Sequence, residues 1–239
     1  LDGNWTWVGQ VVGGDPRQNA VITFGERAVF GSIPQGSEPP LQLLTRHGKL
    51  FVVQTDPSRA ANRRQHDDGR VPPSSNRLWS PVPASAKALG GNTLQAASAG
   101  ERTVDVVAGY STHLADELGG ASAATTRLVY LVAYGSQTMA NSEVDGDFRL
   151  VGTVQVDYAE NTSNNDALDA LTEATAPELD PVHEAREAYG ADVALLVRDL
   201  AEEHEGCGIA WSLGSNQREI VPSDADWAYA VVSDGEYTV

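Results

Sequence analysis

The sequence predicts an α+β fold in two units: an antiparallel β unit over residues 1–57, then a mixed sheet with helices over residues 101–239. Three observations carry this. The first 57 residues are short apolar or alternating segments separated by turn residues. Residues 58–100 are poor in large apolar groups. From Arg102 onward, strand-period and helix-period patterns alternate.

In the first unit, residues 5–12, 20–24, 28–33, 42–45 and 50–54 read as strands. Gly13-Gly14-Asp15-Pro16, Gly25-Glu26, Pro34-Gln35-Gly36 and His47-Gly48 separate them, at the spacing of an antiparallel meander. A unit this small gains stability by docking on something else. Residues 59–70 are charged and polar, 71–83 are rich in proline and serine, and 84–100 in alanine, glycine and serine. Such a stretch cannot offset its ordering entropy by burial, so it reads as an exposed connector and a site for proteolysis.

In the second unit, residues 103–109 are β-rich. Residues 121–141 place Leu128, Leu131, Val132, Gly135 and Met139 at helical spacing. Residues 148–158 alternate, with Phe148, Leu150, Gly152, Val154, Val156 and Tyr158 on one expected face. Segments 167–174 and 181–189 read as helices, the second ended by Gly190. Residues 193–198, 208–213 and 227–232 read as strands.

Composition narrows the function. The formal charge is −17, and the only lysines are Lys49 and Lys87. Nucleic-acid binders displace counterions with basic patches, so nucleic acid and anionic membranes are excluded as expected partners. No apolar run approaches the roughly 18 residues of a membrane span. The acidity reads as solubility in an extracellular setting, and secretion is the expected localisation. Cys207 is the single cysteine, so no internal disulfide forms. No Gly-x-Ser-x-Gly elbow, phosphate loop or dinucleotide fingerprint is present. Ser111 and His113 stand too close in sequence to make a catalytic triad.

Five segments, in order, carry a more specific signal: Thr103-Val104-Asp105-Val106-Val107-Ala108-Gly109-Tyr110-Ser111, Met139-Ala140-Asn141-Ser142, Phe148-Arg149-Leu150-Val151-Gly152-Thr153, Val182-His183-Glu184-Ala185-Arg186 with Tyr189-Gly190-Ala191-Asp192, and Cys207-Gly208-Ile209-Ala210-Trp211. Together they resemble the opening of the bacterial reprolysin-like catalytic domain. That family of zinc peptidases belongs to the metzincin clan and includes the peptidyl-Asp metallopeptidases. Gly3-Asn4-Trp5-Thr6-Trp7-Val8-Gly9 and the strands after it resemble the propeptide that precedes such domains.

The resemblance implies peptide hydrolysis by a zinc-activated water, with protein or peptide as substrate. Its zinc ligands come from His-Glu-x-x-His on a helix and a third histidine. That motif is absent, and the expectation is a precursor fragment that stops just before the zinc helix, with no catalytic residue and no bound zinc. The alternative is a non-catalytic secreted protein- or peptide-binding module on a peptidase-derived scaffold. The propeptide is expected to pack on the catalytic domain.

Gly208, Ile209, Ala210 and Trp211 are the expected substrate contacts, because the matching strand in metzincins lies at the sheet edge and pairs with an extended peptide. An ordinary core strand with Trp211 buried is equally open. His183 and Glu187 share a helix face, and His204-Glu205 begins like the zinc motif, but a solvated face and a glycine-rich turn account for them. His47, His66 and His113 read as surface residues. Cys207 reads as a free thiol whose family partner is missing. With no cysteine upstream of it, latency would need another ligand, such as His66, Asp67 or Asp68, or simple occlusion. Asp145-Gly146-Asp147 and residues 161–166 offer oxygen ligands without a calcium-loop pattern, and turn chemistry explains both.

Overall fold

The computed structural model describes residues 3–54, 68–73, 102–215 and 219–235. The first sheet is the expected meander: β1 (Trp5–Gln10), β2 (Asn19–Phe24), β3 (Val29–Gln35), β4 (Glu38–Arg46) and β5 (Lys49–Gln54), each antiparallel to the next. The β4–β5 hairpin turns through His47 and Gly48, both at positive φ (46° and 71°), a conformation that matches strand twist and that glycine adopts freely. β4 starts four residues earlier than its apolar pattern suggests. Pro39 and Pro40 sit in its first turn of pairing, where the register with β3 shifts between Ile33 and Gln35.

The second sheet contains β6 (Gly69–Arg70), β7 (Thr103–Ser111), β8 (Asp147–Val156), β9 (Val193–Asp199), β10 (Gly208–Trp211) and β11 (Tyr229–Asp234), in the order β6-β10-β11-β9-β7-β8. All its pairs are parallel except β10–β11. α1 (Thr112–Leu118) and α2 (Ala121–Asn141) cover one face, and α3 (Asn164–Glu173) and α4 (Asp180–Tyr189) the other. β7 is buried from Val106 to Ser111 because it is central and covered on both sides. The α+β expectation therefore holds.

α1 was not expected. Its signals were in the sequence all the same: the Ser111 hydroxyl caps it by accepting from the Leu114 amide, and Gly119, at φ 101°, ends it. α2 lies between the two sheets, so its first turns bury Ala123, Ala124, Thr125, Thr126, Leu128 and Tyr130 rather than one stripe. Val21 and Phe30 of the first sheet, with Ala28 just before β3, share a core with Ala108, Tyr110, Leu114 and Leu128. The far core joins Val107, Leu168, Leu171, Val182, Leu196, Ile209 and Val231.

The single expected face of β8 is corrected. A bulge lets the β7 register pass from Val106–Leu150 to Val107–Gly152, leaving Val151 without a partner. One extra residue reverses the alternation. Phe148 and Leu150 accordingly face α2, whereas Val154 and Val156 face α3 and α4.

The connector is also corrected in part. Within 58–100, Gly69–Arg70 is not an exposed loop but a strand on the second sheet, and Pro72 is buried. Residues 58–67, with His66 and Asp67, and residues 74–100 lie outside the described residues. Among the described residues no helix is long and apolar enough to cross a membrane.

Candidate functional site

β10 is where the four expected contacts lie. Its inner edge pairs with β11, and its outer edge carries Gly69–Arg70 in parallel. The Ala210 amide donates to the Asp68 carbonyl at 3.1 Å and the Ser212 amide to the Arg70 carbonyl at 2.7 Å. Ile209 and Trp211 are buried and turn toward α3, while Gly208 and Ala210 are half-buried. A Cβ on Gly208 would stand 2.6 Å from the Val231 carbonyl, so glycine is what allows β10 to close on β11 there. The Ile209 and Trp211 side chains thus enter the core, and the outer backbone groups of β10 bind another segment of this chain.

Trp211 is held firmly. Its indole N–H donates to the Thr172 hydroxyl at 2.8 Å, and Trp227 packs edge-on with ring centres 4.7 Å apart. Arg70 lies over the indole face, its guanidinium carbon 4.4 Å from the ring centre, and donates to Asp169 of α3 at 2.6 Å. Sequence reasoning missed Gly69-Arg70, Asp169 and Thr172 as parts of one place. A two-residue strand in polar surroundings leaves no periodic signal.

Toward the opposite end of β10, at the carboxyl ends of β7, β9 and β11, is a buried polar cluster that sequence reasoning also missed. Arg198, fully buried, donates to the carbonyls of Ala159 and Thr162, to the Thr162 hydroxyl and to the Asn164 side chain. Asn164 also accepts from the Ser233 hydroxyl. Ser111 donates to one carboxylate oxygen of Glu160, and the other oxygen, 3.6 Å from His204 Nε2, has no hydrogen-bond partner among the described residues. Burial pushes the Glu160 carboxyl above the usual range, against the pull of the Ser111 hydroxyl. Burial, with the Arg198 charge second, pushes His204 down to about 4, so its ring is neutral. A neutral ring that donates from Nε2 to the Glu160 carbonyl (2.9 Å) leaves Nδ1 as acceptor for the Ala201 amide (3.4 Å). His204 is a structural histidine.

The other expected positions are dispersed. His183 meets the Tyr229 hydroxyl through Nδ1 at 3.2 Å, and its Nε2 is buried without a hydrogen-bond partner among the described residues. His47 and His113 approach Glu117 and Asp199 at 3.4 and 3.3 Å. The Cys207 side chain is exposed, and its carbonyl accepts from Ser233. Asp145 approaches Arg102 at 3.9 Å, and Ser163 caps α3. Among the described residues, no group of three or more His, Cys, Asp or Glu side chains is placed to hold a metal ion. The donor set that zinc needs is not met by them.

A sequence model of the family described as "Metallo-peptidase family M12B Reprolysin-like" matches residues 100–237. No curated protein matches the chain significantly. Among solved structures, the chain is similar to metalloproteinase-II from Bacteroides fragilis, at 11% identity and TM-score 0.40, over 96% of this chain and 75% of that one. It is also similar to a chain in "Structure of a chaperone-substrate complex", at 21% identity and TM-score 0.44, over 56% of this chain. The match spans 21% of that neighbour. Both likenesses are too distant to bear on function.

Proposed function

The chain belongs to the reprolysin-like metallopeptidases of family M12B, and on that premise we propose that it is the front part of a secreted zinc metalloendopeptidase precursor. In this reading the first sheet is the propeptide, residues 101–239 form the upper part of the catalytic domain, and β10 is the strand that a peptide substrate joins. The zinc ligands, which the described residues do not provide, belong to polypeptide outside residues 1–239. No step of hydrolysis is assigned to these residues.

The observation that carries the reading is the pairing of Asp68–Arg70 with β10. An extended segment from the stretch between the two units already uses the Ala210 and Ser212 amides. Those are the donors a bound peptide would need, because strand addition draws its affinity from main-chain hydrogen bonds. While the segment is in place, the edge is closed to substrate. Packing of the first sheet on α2 through Val21 and Phe30 supports its role as the anchor of that segment.

The test compares the 239-residue chain with the product of the complete open reading frame that contains it. The longer protein is expected to bind one zinc and to digest casein faster once the 58–100 stretch is cut. The 239-residue chain is expected to do neither. Casein digestion by the 239-residue chain with stoichiometric zinc would overturn the division of roles. Casein binding without cleavage by the zinc-supplied longer protein would favour a binding module instead.

A further inference from the structure

We infer that the recess formed by Trp211, Thr172 and Asp169 is a subsite for a basic side chain, arginine foremost, of the peptide that pairs with β10. Arg70 fills it in that side chain's place. This rests on the proposed function, because it takes β10 as the peptide-binding strand.

Arg70 stands directly across from Trp211 in the β6–β10 register. Residues paired across two strands project to the same face of the sheet, so whichever residue of a bound peptide takes that position sends its side chain toward α3. There the indole offers a flat face and Asp169 a carboxylate, the two groups a guanidinium uses together. The indole is fixed before any ligand arrives, by Thr172 on its N–H and Trp227 against its edge. A preorganised recess loses little freedom on binding.

A purely structural ion pair would look different. The Asp169 side chain is 44% exposed and that of Arg70 33%, so removing Arg70 returns a carboxylate to water instead of stranding it in the core. Exposed pairs of this kind contribute little to folding. The placement is therefore one that a ligand can enter and leave. The formal charge of −17 draws cationic peptides toward the surface.

The experiment uses the full 239-residue chain and two acetylated, fluorescent heptapeptides of alanine and serine, one with a central arginine and one with a central citrulline, its neutral isostere. Affinity is read by anisotropy for the native chain, for Arg70→Ala, and for Arg70→Ala combined with either Asp169→Asn or Glu173→Gln. Glu173 is an exposed acid on the same helix and controls for net charge. The Arg70→Ala chain is expected to bind the arginine peptide about tenfold more tightly than the citrulline peptide, and about tenfold more tightly than the native chain does. Asp169→Asn is expected to erase the discrimination and Glu173→Gln to keep it.

Equal binding of both peptides by the Arg70→Ala chain would overturn the subsite while leaving β10 as a peptide groove. Binding of neither would sink the groove with it. Equal affinity of native and Arg70→Ala chains for the arginine peptide would show that Arg70 is not the occupant. Should the Arg70 variant fail to fold, both peptides are added to the native chain and protease cleavage at residues 68–73 is followed. Displacement by the arginine peptide alone supports the subsite; an equal effect of both peptides overturns it.

Discussion

Arg127 of α2 meets Asp234 at the end of β11 through two hydrogen bonds, Nε to Oδ2 at 2.7 Å and Nη2 to Oδ1 at 2.5 Å. The same guanidinium lies 5.2 Å from the rings of Phe30 and Tyr130. One side chain thereby touches the first sheet, the helix between the sheets and the second sheet. Both partners are largely buried, with side-chain exposures of 15% and 10%. Truncating one partner leaves the other charge poorly solvated. Asp234→Ala is expected to lower stability by about 3 kcal/mol, measured by urea unfolding. A loss indistinguishable from zero would mean that the pair does not tie the sheets together.

The first sheet approaches α2 closely at Gly25. A Cβ there would stand 2.0 Å from the Thr126 hydroxyl oxygen and 2.4 Å from Asn4 Oδ1, groups that already share a 2.6 Å hydrogen bond. Gly25→Ala must push the β2–β3 turn away from the helix. The expected cost is about 1–3 kcal/mol, with faster proteolysis of residues 3–54 as its signature. Unchanged thermal unfolding would contradict this docking.

His204 makes stability depend on pH. Its folded value of about 4 lies below the ordinary histidine value of about 6.5. As pH falls from about 6.5 to about 4, the unfolded chain takes up the proton first, so folding is weakened through that window. Glu160 acts in the opposite sense: its raised carboxyl binds a proton in the fold before the unfolded chain does, which favours folding as pH falls. His204→Gln should remove only the first contribution. The variant's unfolding free energy is expected to fall less steeply between pH 6.5 and 4, by up to about 1.4 kcal/mol per pH unit. Parallel curves for native and variant chains would refute the neutral buried imidazole.

Arg198 holds the loop after β8 against the sheet. Burial pushes its guanidinium below its ordinary value, and its four hydrogen bonds reach Ala159, Thr162 and Asn164. Arg198→Leu would take the guanidinium donors away from the Ala159 and Thr162 carbonyls and leave Asn164 with Ser233 as its remaining donor. A loss of about 3–5 kcal/mol is expected, read from thermal unfolding. A stable, well-packed leucine variant would show that the cluster can be replaced by apolar packing.

The sequence by itself determined what short-range chemistry writes. Turn residues at fixed offsets set the meander, Gly190 ended α4, and five ordered segments carried the family. Local signals sufficed because hairpins, caps and helix periods each need only a few neighbouring residues. Even α1 is written locally, in the Ser111 cap and in Gly119. Tertiary structure alone decided the rest. Whether Gly69–Arg70 becomes a strand depends on a free edge offered by β10 far along the chain, and two polar residues carry no pattern that announces it. The bulge at Val151 is set by the fit of β8 to β7, and it reverses a face that alternation alone assigns to one side. The Arg70–Trp211–Asp169 recess joins three elements distant in sequence, so its chemistry exists only once the sheet has closed on α3.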